Sequence, residues 1–339
     1  MIKKVVTVLI AVFVVSCFSD FGYADDINGY MIPEYYFVLS HHQGEDGIEG
    51  QHGFWFRRIY FGYDTRLSDK FSARVRFEMN SPAFKEGTMD PFIKNAHLKY
   101  SMGGGASLIA GIIDPPSFDL VEKFWGNRYL EKTPADLFKF ASSRDFGLAL
   151  DGRSKGGLVY TLMYGNYGSN KGEDNKGKGV YARLGYEGKS IYIEANGHFS
   201  SDNGSDYTFL SGFFGFKGGW GNIGANYIYL DRAPEEGDSK NMSCISAFTN
   251  LKLGSKTKLV LRYDHMLDPH LKHVTGYLRF HPDAPARLII GALEFQVHKM
   301  VLISPNVKYV FYGDPDVGTK PGSDFYVNLT AKVSFKTKI

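Results

Sequence analysis

The residues of this chain that can do chemistry are arginines and lysines set two apart in segments of alternating hydrophobicity. Arg74 and Arg76, for example, alternate with Ala73, Val75 and Phe77. Successive side chains of a β-strand point to opposite faces, so such a segment has one apolar and one charged face. The charged faces carry these basic residues: Arg58, Arg66, Arg74, Arg76, Lys99, Arg183, Arg262, Lys308 and Lys332. The acidic residues on the same faces are fewer: Asp64, Glu78, Glu194 and Asp264.

Positive side chains gathered around confined water attract anions and repel cations, and rings of Arg or Lys are the usual basis of anion-selective pores. The guanidinium group also offers a planar fork for oxyanions such as phosphate. A simpler alternative is that these arginines pair with Asp64 and Glu78 and only stiffen the wall. Both interpretations require strands whose charged faces point toward one another.

The elements that would position these residues are strands repeated along almost the whole chain. The stretch 54–80 has the pattern of a hairpin around Ser68-Asp69-Lys70, and the last segment alternates from Phe325 to Phe335. A soluble sheet would bury the apolar faces, whereas a membrane barrel turns them toward lipid and turns the charged faces toward its lumen. Because the pattern recurs so often, the sequence favours an all-β fold, a transmembrane antiparallel β-barrel of about sixteen strands.

The predicted connections are alternately short and long, which is typical of outer-membrane barrels with tight periplasmic turns and longer outer loops. The strand count is ambiguous within 267–300, because 274–280 has the pattern of a further strand. Counting it gives an odd number, whereas bacterial single-chain barrels have even numbers of strands. We therefore assign 267–286 to a long outer loop.

Residues 1–24 form a predicted signal peptide with a basic start, an apolar stretch and a small-residue cleavage motif that ends at Ala24. The alternative is a lipobox that ends at Cys17 and would make this cysteine a lipidated N-terminus. In both cases the chain is exported, and 25–339 forms the barrel domain. No later stretch has the roughly 18 apolar residues of a transmembrane helix. The predicted location is the bacterial outer membrane, whose lipid surrounds the barrel.

The longest irregular segment, 114–143, is the candidate constriction of the predicted pore. Loops of this length usually have a function, and here the loop would fold inward and narrow the lumen. Phe124 and Trp125 are its candidate anchors on the wall. The candidate constriction residues are Glu122, Lys123, Arg128, Glu131 and Lys132. A surface loop with one helical turn is equally compatible with the sequence.

Motifs of other functional classes are missing from the sequence. It has no nucleophile elbow, zinc-protease motif or phosphate-binding glycine loop, so no catalytic residue, enzyme activity or cofactor is predicted. Histidines such as His41, His42 and His52 fall in predicted loops, where solvated imidazoles are a simpler interpretation than a metal site. Cys244 alone can form neither a disulfide nor a thiolate metal site. The formal net charge of +3 indicates no nucleic-acid-binding surface.

Several short segments resemble the phosphate-selective porin O and P family. They are RR at 57–58, FG at 61–62, LSDKF at 67–71, AGIIDPP at 110–116, SRDFGLAL at 143–150 and ISPNVKY at 303–309. The resemblance implies a sixteen-stranded, trimeric diffusion pore whose third loop constricts a channel lined by arginine and lysine. On this resemblance Arg58, Arg74 and Arg76 fit the basic wall, and Lys123, Arg128 and Lys132 fit the constriction. The acidic residues between the basic ones in this loop argue against strict phosphate selectivity.

The sequence leaves three functions open. The first is a passive porin that prefers anions such as phosphate, with small anionic or polar solutes as its partners. The second is a non-selective or sugar-type pore, in which the many tyrosines would form a stacking path. The third is a structural or adhesive barrel closed by its loops, which would conduct nothing. An outer-membrane hydrolase would need a paired Ser and His on neighbouring strands, and the sequence shows no such pair.

Overall fold

The computed structural model describes residues 25–44, 47–173, 176–202, 204–271, 274, 276–315 and 318–338. The predicted signal peptide, with its cleavage motif and Cys17, lies outside these residues. Within them the chain forms one closed sheet, in which every strand pairs with its neighbours in sequence and the first strand pairs with the last.

The barrel has sixteen antiparallel strands. They are β1 (Asp26–Ser40), β2 (His52–Arg66), β3 (Phe71–Met79), β4 (Phe92–Gly103), β5 (Ala106–Ile113), β6 (Asp145–Arg153), β7 (Leu158–Gly165), β8 (Gly179–Glu187), β9 (Ile191–Asp202), β10 (Ser205–Gly218), β11 (Gly221–Pro234), β12 (Lys240–Lys252), β13 (Thr257–Met266), β14 (Ala286–His298), β15 (Val301–Tyr312) and β16 (Asp324–Lys338).

The predicted fold class is confirmed. Side chains such as Leu148, Leu162, Leu184 and Phe199 point outward and are exposed, so the outer surface of the barrel is an apolar belt. The assignment of 267–286 to a loop is also confirmed, because β13 ends at Met266 and β14 begins only at Ala286. In the part of the chain that the structure describes, no helix has the length and apolarity needed to cross a membrane.

Loop L3 is the connection 114–144 between β5 and β6, and it contains two short helices, α1 (Asp119–Trp125) and α2 (Pro134–Leu137). Its apolar residues pack against inward-facing side chains of distant strands, so the loop lies inside the barrel. Phe124 of α1 packs edge-on against Phe213 of β10. The close approach requires glycine on the wall, because a Cβ at Gly215 would lie 2.8 Å from the Phe124 ring.

The inward-facing side chains divide the barrel interior into two unlike halves. In β10–β14 they are largely apolar and buried, as Phe209, Phe213, Met242, Phe248 and Val260 illustrate, and L3 covers this wall. In β2–β8 they are mostly polar or charged. The expectation that inward faces are charged therefore does not hold for most inward positions of β10–β14, although Arg262 and Asp264 of β13 do point inward. The segment FLSGFFGF at 209–216 shows why, since it is apolar on both faces.

A β-bulge on β2 turns an extra basic side chain inward. Ile32 of β1 pairs with Arg58 and Pro33 pairs with Phe56, so Arg57 has no partner across the β1–β2 ladder. Pro33 has no amide hydrogen for the ladder, and bulges are among the few places where strands accept proline. Arg57 and Arg58 consequently both face the interior, where they are 1% and 4% exposed.

A second bulge on β4 has the same effect. Arg76 of β3 pairs with Asn95 and Phe77 pairs with Ile93, which leaves Lys94 as the extra residue. Both Lys94 and Asn95 are buried inside the barrel. Strict alternation would have turned Lys94 toward lipid, where a charge is costly.

Candidate pore and inward-folded loop

Loop L3 is fixed to the barrel wall by a buried ion-pair cluster around Glu131. Its carboxylate lies 2.8 Å from a guanidinium nitrogen of Arg57 and 3.0 Å from Nζ of Lys308. Arg57 also donates to the Leu130 carbonyl oxygen and lies 3.5 Å from Glu34. Burial alone would raise the pKa of Glu131, but Arg57 and Lys308 lower it strongly, so this carboxylate is ionised.

Further polar contacts hold L3 along the apolar half of the wall. Asn127 donates to Asn250 at 2.5 Å, and the Tyr129 hydroxyl donates to Glu294 at 2.9 Å. Arg262 donates to the Lys132 carbonyl oxygen at 2.5 Å. Loops that carry their own apolar and polar anchors are held in one place. Of the two possibilities left open by the sequence, the structure therefore has the inward-folded loop.

Arg262 does not line open space, although it points inward as predicted. Its side chain is 1% exposed, because Trp125 of L3 lies over its guanidinium group at 5.3 Å and Asp264 binds the group from the side at 2.6 Å. The alternation of the strand correctly predicted that the Arg262 side chain points into the barrel. It contained no information on which part of the wall L3 would cover.

Two cavities lie on the polar side of the barrel. The inner cavity, of about 610 Å³, is bounded by the turn between β2 and β3 and by inward faces of β2–β8. The outer cavity, of about 350 Å³, is bounded by L3, by the end of β4 and by the outer loops. L3 contributes residues to both, with Asp119 at the inner cavity and Arg128 at the outer one. The loop thus stands between the two compartments.

The outer cavity is strongly basic. Its cationic side chains are Arg58, Lys94, Arg128, Lys132, Lys139 and Arg144, whereas its acidic side chains are Glu78 and Glu131. The inner cavity is balanced. Its lysines and arginines are Arg66, Lys70, Arg74, Lys99 and Arg183, and its carboxylates are Asp26, Asp64, Asp69, Asp114, Asp119 and Asp151.

The predicted constriction residues of L3 take different positions. Glu122 and Asp136 both bind Arg128, the latter at 2.8 Å, and Lys132 binds Asp136 at 2.9 Å. Burial raises the pKa of Asp136, but Lys132 and Arg128 hold it well below its usual range. Lys123 is exposed and reaches Glu187 at the turn end of β8.

Glu131 belongs to the ion-pair cluster that fixes L3 to the barrel wall. Lys123 lies outside the group of ion pairs around Arg128, because it binds Glu187. Of the predicted constriction residues, Glu122, Arg128 and Lys132 therefore form one ion-pair cluster with Asp136. For Lys132, burial is the main cause of a pKa lowered to about 7, Asp136 opposes the shift, and nearby Arg58, Lys139 and Arg128 add to it.

Most of the predicted lining arginines are paired. Arg74 binds Asp64 at 2.5 Å, and Arg58 binds Glu78 at 3.1 Å. Arg183 binds Asp119 of L3 at 2.9 Å, while Arg66 binds Asp69 at the exposed rim. The simpler alternative of wall-stiffening pairs thus describes several of these residues.

Five cations of this region make no ion pair or hydrogen bond through their side chains within the described residues: Lys70 at the exposed turn, Lys332, which lies over the Tyr30 ring, and three others. Lys99 lines the inner cavity and Lys139 of L3 lines the outer one. Arg76 lies one inward position from Arg74, which lines the inner cavity, and one from Glu78, which lines the outer cavity. Unpaired charge is therefore present at three successive levels of the barrel.

All eight carboxylates that line the two cavities have cationic partners. The pairs are Asp26–Lys336, Asp64–Arg74, Asp69–Arg66, Asp114–Arg144, Asp119–Arg183, Asp151–Arg183, Glu78–Lys94 and Glu131–Lys308. The uncompensated charge facing the cavities is thus positive.

Four basic residues of this region were not among the predicted pore-lining or constriction residues: Arg57, Lys94, Lys139 and Arg144. The inward position of Arg57 could have been suspected from Pro33 of β1, because a proline within a strand often marks a bulge, here in the neighbouring strand β2. Lys94 had no comparable signal. Lys139 has a positive φ of 65°, a strained conformation that local sequence does not reveal. Arg144 joins L3 to β6 and binds Asp114 at the other end of the loop.

No protein-family model matches this chain, and no curated protein matches it. Several solved structures do match. OmpT, an outer-membrane protein of Vibrio cholerae, is 14% identical with a TM-score of 0.67, over 94% of this chain and 99% of that chain.

Two further solved structures are similar to this chain. The anion-selective porin from Comamonas acidovorans is 11% identical with a TM-score of 0.67, over 92% of this chain and all (100%) of that chain. The outer-membrane channel DcaP of Acinetobacter baumannii is 10% identical with a TM-score of 0.64, over 92% and 97% of the two chains. At such low identity the likeness is one of fold, and the chain has the barrel fold of outer-membrane porins and channels.

Proposed function

We propose that this chain is a passive outer-membrane diffusion channel that prefers small anions to cations and has no catalytic role. The observation that carries the proposal is the difference in pairing between the two signs of charge. All cavity-lining carboxylates are ion-paired, whereas Lys99 and Lys139, which line the two cavities, and Arg76, which lies on the wall between them, are not. Unpaired positive charge in a confined space raises the local concentration of anions.

Phosphate is one candidate among the anions. The resemblance to phosphate-selective porins supports it, and Arg76 offers a free planar fork of the kind that binds oxyanions. The resemblance also implies a homotrimer. The paired charges of L3 argue against a strict phosphate filter, because Arg128 already binds two carboxylates.

A sugar-type path receives less support. Such a path needs a run of exposed aromatic faces, but the aromatic residues lining the two cavities are Phe71, Phe92 and Tyr277. Tyr36 and Trp55, which would be natural stacking surfaces, stack on each other at 3.8 Å. We therefore favour charge over stacking as the basis of selectivity.

The decisive experiment is the reversal potential of the refolded barrel in a planar bilayer under a KCl gradient. We expect anion preference in the wild type and a clear loss of it in Lys99→Gln/Arg76→Gln/Lys139→Gln. The matched control is Lys155→Gln/Lys217→Gln/Lys256→Gln, which changes net charge equally at exposed positions outside both cavities. Chloride and phosphate gradients then rank the two anions.

Two results would overturn the proposal. Absence of any conductance would favour a closed structural barrel. Equal permeability to both ions in the wild type, or equal effects of the two triple variants, would mean that the unpaired cations do not set selectivity.

A further inference from the structure

The outer end of the seam between β1 and β16 contains a cluster of metal-ligand side chains. His41 and His42 begin loop L1, the connection 41–51, and Asp324 begins β16. One ligand atom from each of the three residues lies within 4.8 Å of those of the other two. We propose that these residues bind a divalent transition-metal ion of the zinc class.

The donor set suits such an ion. Zinc is bound by imidazole nitrogen and carboxylate oxygen at about 2.0–2.2 Å, which separates the ligand atoms of a tetrahedral site by roughly 3.4 Å. Nδ1 of His42 and Oδ1 of Asp324 are already 2.9 Å apart. This distance is that of a hydrogen bond, so closure on a metal moves the Nδ1 proton of His42 to its Nε2, parts His42 and Asp324 by a few tenths of an ångström, and shifts His41 inward.

His41 is poised for this role, because its ring is buried without satisfying both nitrogens. The residue is 4% exposed, and Nε2 has no hydrogen-bond partner among the described residues. Buried polar atoms are normally paired, so an unpaired one calls for a ligand. The sequence-based interpretation of a solvated imidazole is therefore wrong for His41.

The loop is built closely around this imidazole. A Cβ at Gly47 would lie 2.4 Å from Nδ1 of His41, so only glycine fits there. The Gln43 amide donates to the same Nδ1 at 3.2 Å. Because Nδ1 accepts this hydrogen bond, the ring proton lies on Nε2 in the metal-free site. Metal coordination by Nε2 moves that proton to Nδ1, and the Gln43 backbone N–H, which can no longer donate to the ring, must turn away from it.

The surrounding groups orient the ligands, as outer-shell groups do in known metal sites. The Tyr312 hydroxyl donates to Oδ2 of Asp324 at 2.5 Å, and the His42 backbone amide donates to Oδ1 at 2.6 Å. The His281 ring of a neighbouring loop packs against His42 with 5.4 Å between centroids. Three protein ligands leave one coordination position for water.

The consequence of binding is mechanical. The metal joins the start of L1 to the start of β16, which lie 282 residues apart in sequence. It thereby pins the outer end of the seam where the first and last strands close the barrel. A cross-link that binds only the folded state raises the unfolding temperature.

The test uses the full mature chain, refolded in detergent without an affinity tag. Zinc is titrated calorimetrically, and Co²⁺ is titrated by the visible absorption of its tetrahedral complex. We expect one saturable site per chain. His41→Ala and His42→Gln should each weaken it at least about tenfold, the size of effect that even outer-shell changes produce. His52→Ala, at the start of β2 just after L1, is the matched control and should bind normally.

Folding of each variant is checked first by its heat-modifiable band without metal. Zinc should then raise the unfolding temperature of the wild type and of His52→Ala, but not of His41→Ala. If the wild type shows no saturable site, or if folded His41→Ala binds zinc as tightly as the wild type, the proposal is wrong. The outcome of this zinc-binding test does not depend on the ion selectivity of the barrel.

Discussion

Arg57 and Glu131 are joined by a 2.8 Å ion pair inside the barrel, although 74 residues separate them in sequence. The pair links the bulge on β2 to the middle of L3. It is fully buried, with both side chains at most 3% exposed. The position of the loop, and with it the division between the inner and outer cavities, depends on this contact.

Glu131→Gln should therefore destabilise the barrel and loosen L3. Arg57 and Lys308 would remain buried with one partner fewer, and breaking a buried pair costs about 3–5 kcal/mol. We expect a lower urea midpoint of unfolding and a larger, noisier single-channel conductance. The matched control is Glu122→Gln, whose pair with Arg128 is less buried and leaves Arg128 bound to Asp136, so its loss should cost less. Equal effects of the two variants would show that Glu131 is no special anchor.

Arg76→Gln should reduce anion preference more than Arg74→Gln. The two variants change net charge equally, but Arg74 is paired with Asp64 and lines the inner cavity, whereas Arg76 is unpaired at the level between the cavities. The electric field of a fixed charge acts most strongly on passing ions where the water-filled space is narrow, so an unpaired charge between the two cavities should matter most. Reversal potentials of the two variants at one KCl gradient measure the difference. If the shifts are the same, total lumen charge decides selectivity and position does not.

Anion preference should fall as the pH rises through about 7. The pKa of Lys132 is lowered to about 7, so this side chain is charged below that pH and neutral above it, which removes a positive charge from the outer cavity. Reversal potentials between pH 6 and 8, roughly one unit on either side, should show the step.

Two substitutions identify the group that titrates. Lys132→Arg keeps its charge throughout and should show high anion preference with no step. Lys132→Met carries no charge at this position and should show low anion preference at both ends of the pH range. A step that persists in both variants would come from another group.

Tyr277→Phe should release the loop between β13 and β14. The Tyr277 hydroxyl donates to the Arg57 carbonyl oxygen at 2.7 Å and lies 3.0 Å from that of Ser81. Loss of this hydrogen bond should cost roughly 0.5–1.5 kcal/mol. Limited proteolysis followed by mass spectrometry should detect faster cleavage within 267–285. Tyr309→Phe, on the outward face, is the control, and an unchanged cleavage rate in Tyr277→Phe would contradict this role.

The architecture of this protein was readable from the sequence because it depends on local rules. Alternation with a period of two residues specifies strands and their two faces, and turn residues separate them. Sixteen strands and the long loop between β5 and β6 follow from such patterns. The inward direction of Arg58, Arg74 and Arg76 follows from the same alternation.

The site itself depended on contacts between residues far apart in the chain. Alternation predicts that Arg57 and Lys94 face lipid, but bulges set by pairing with the neighbouring strands turn both inward. It predicts that Arg262 lines the pore, but L3 covers it. The face of a strand on which a side chain lies is set by a few neighbouring residues. Which cations keep a partner, and which stay free to face water, is decided only when the barrel closes around its loop.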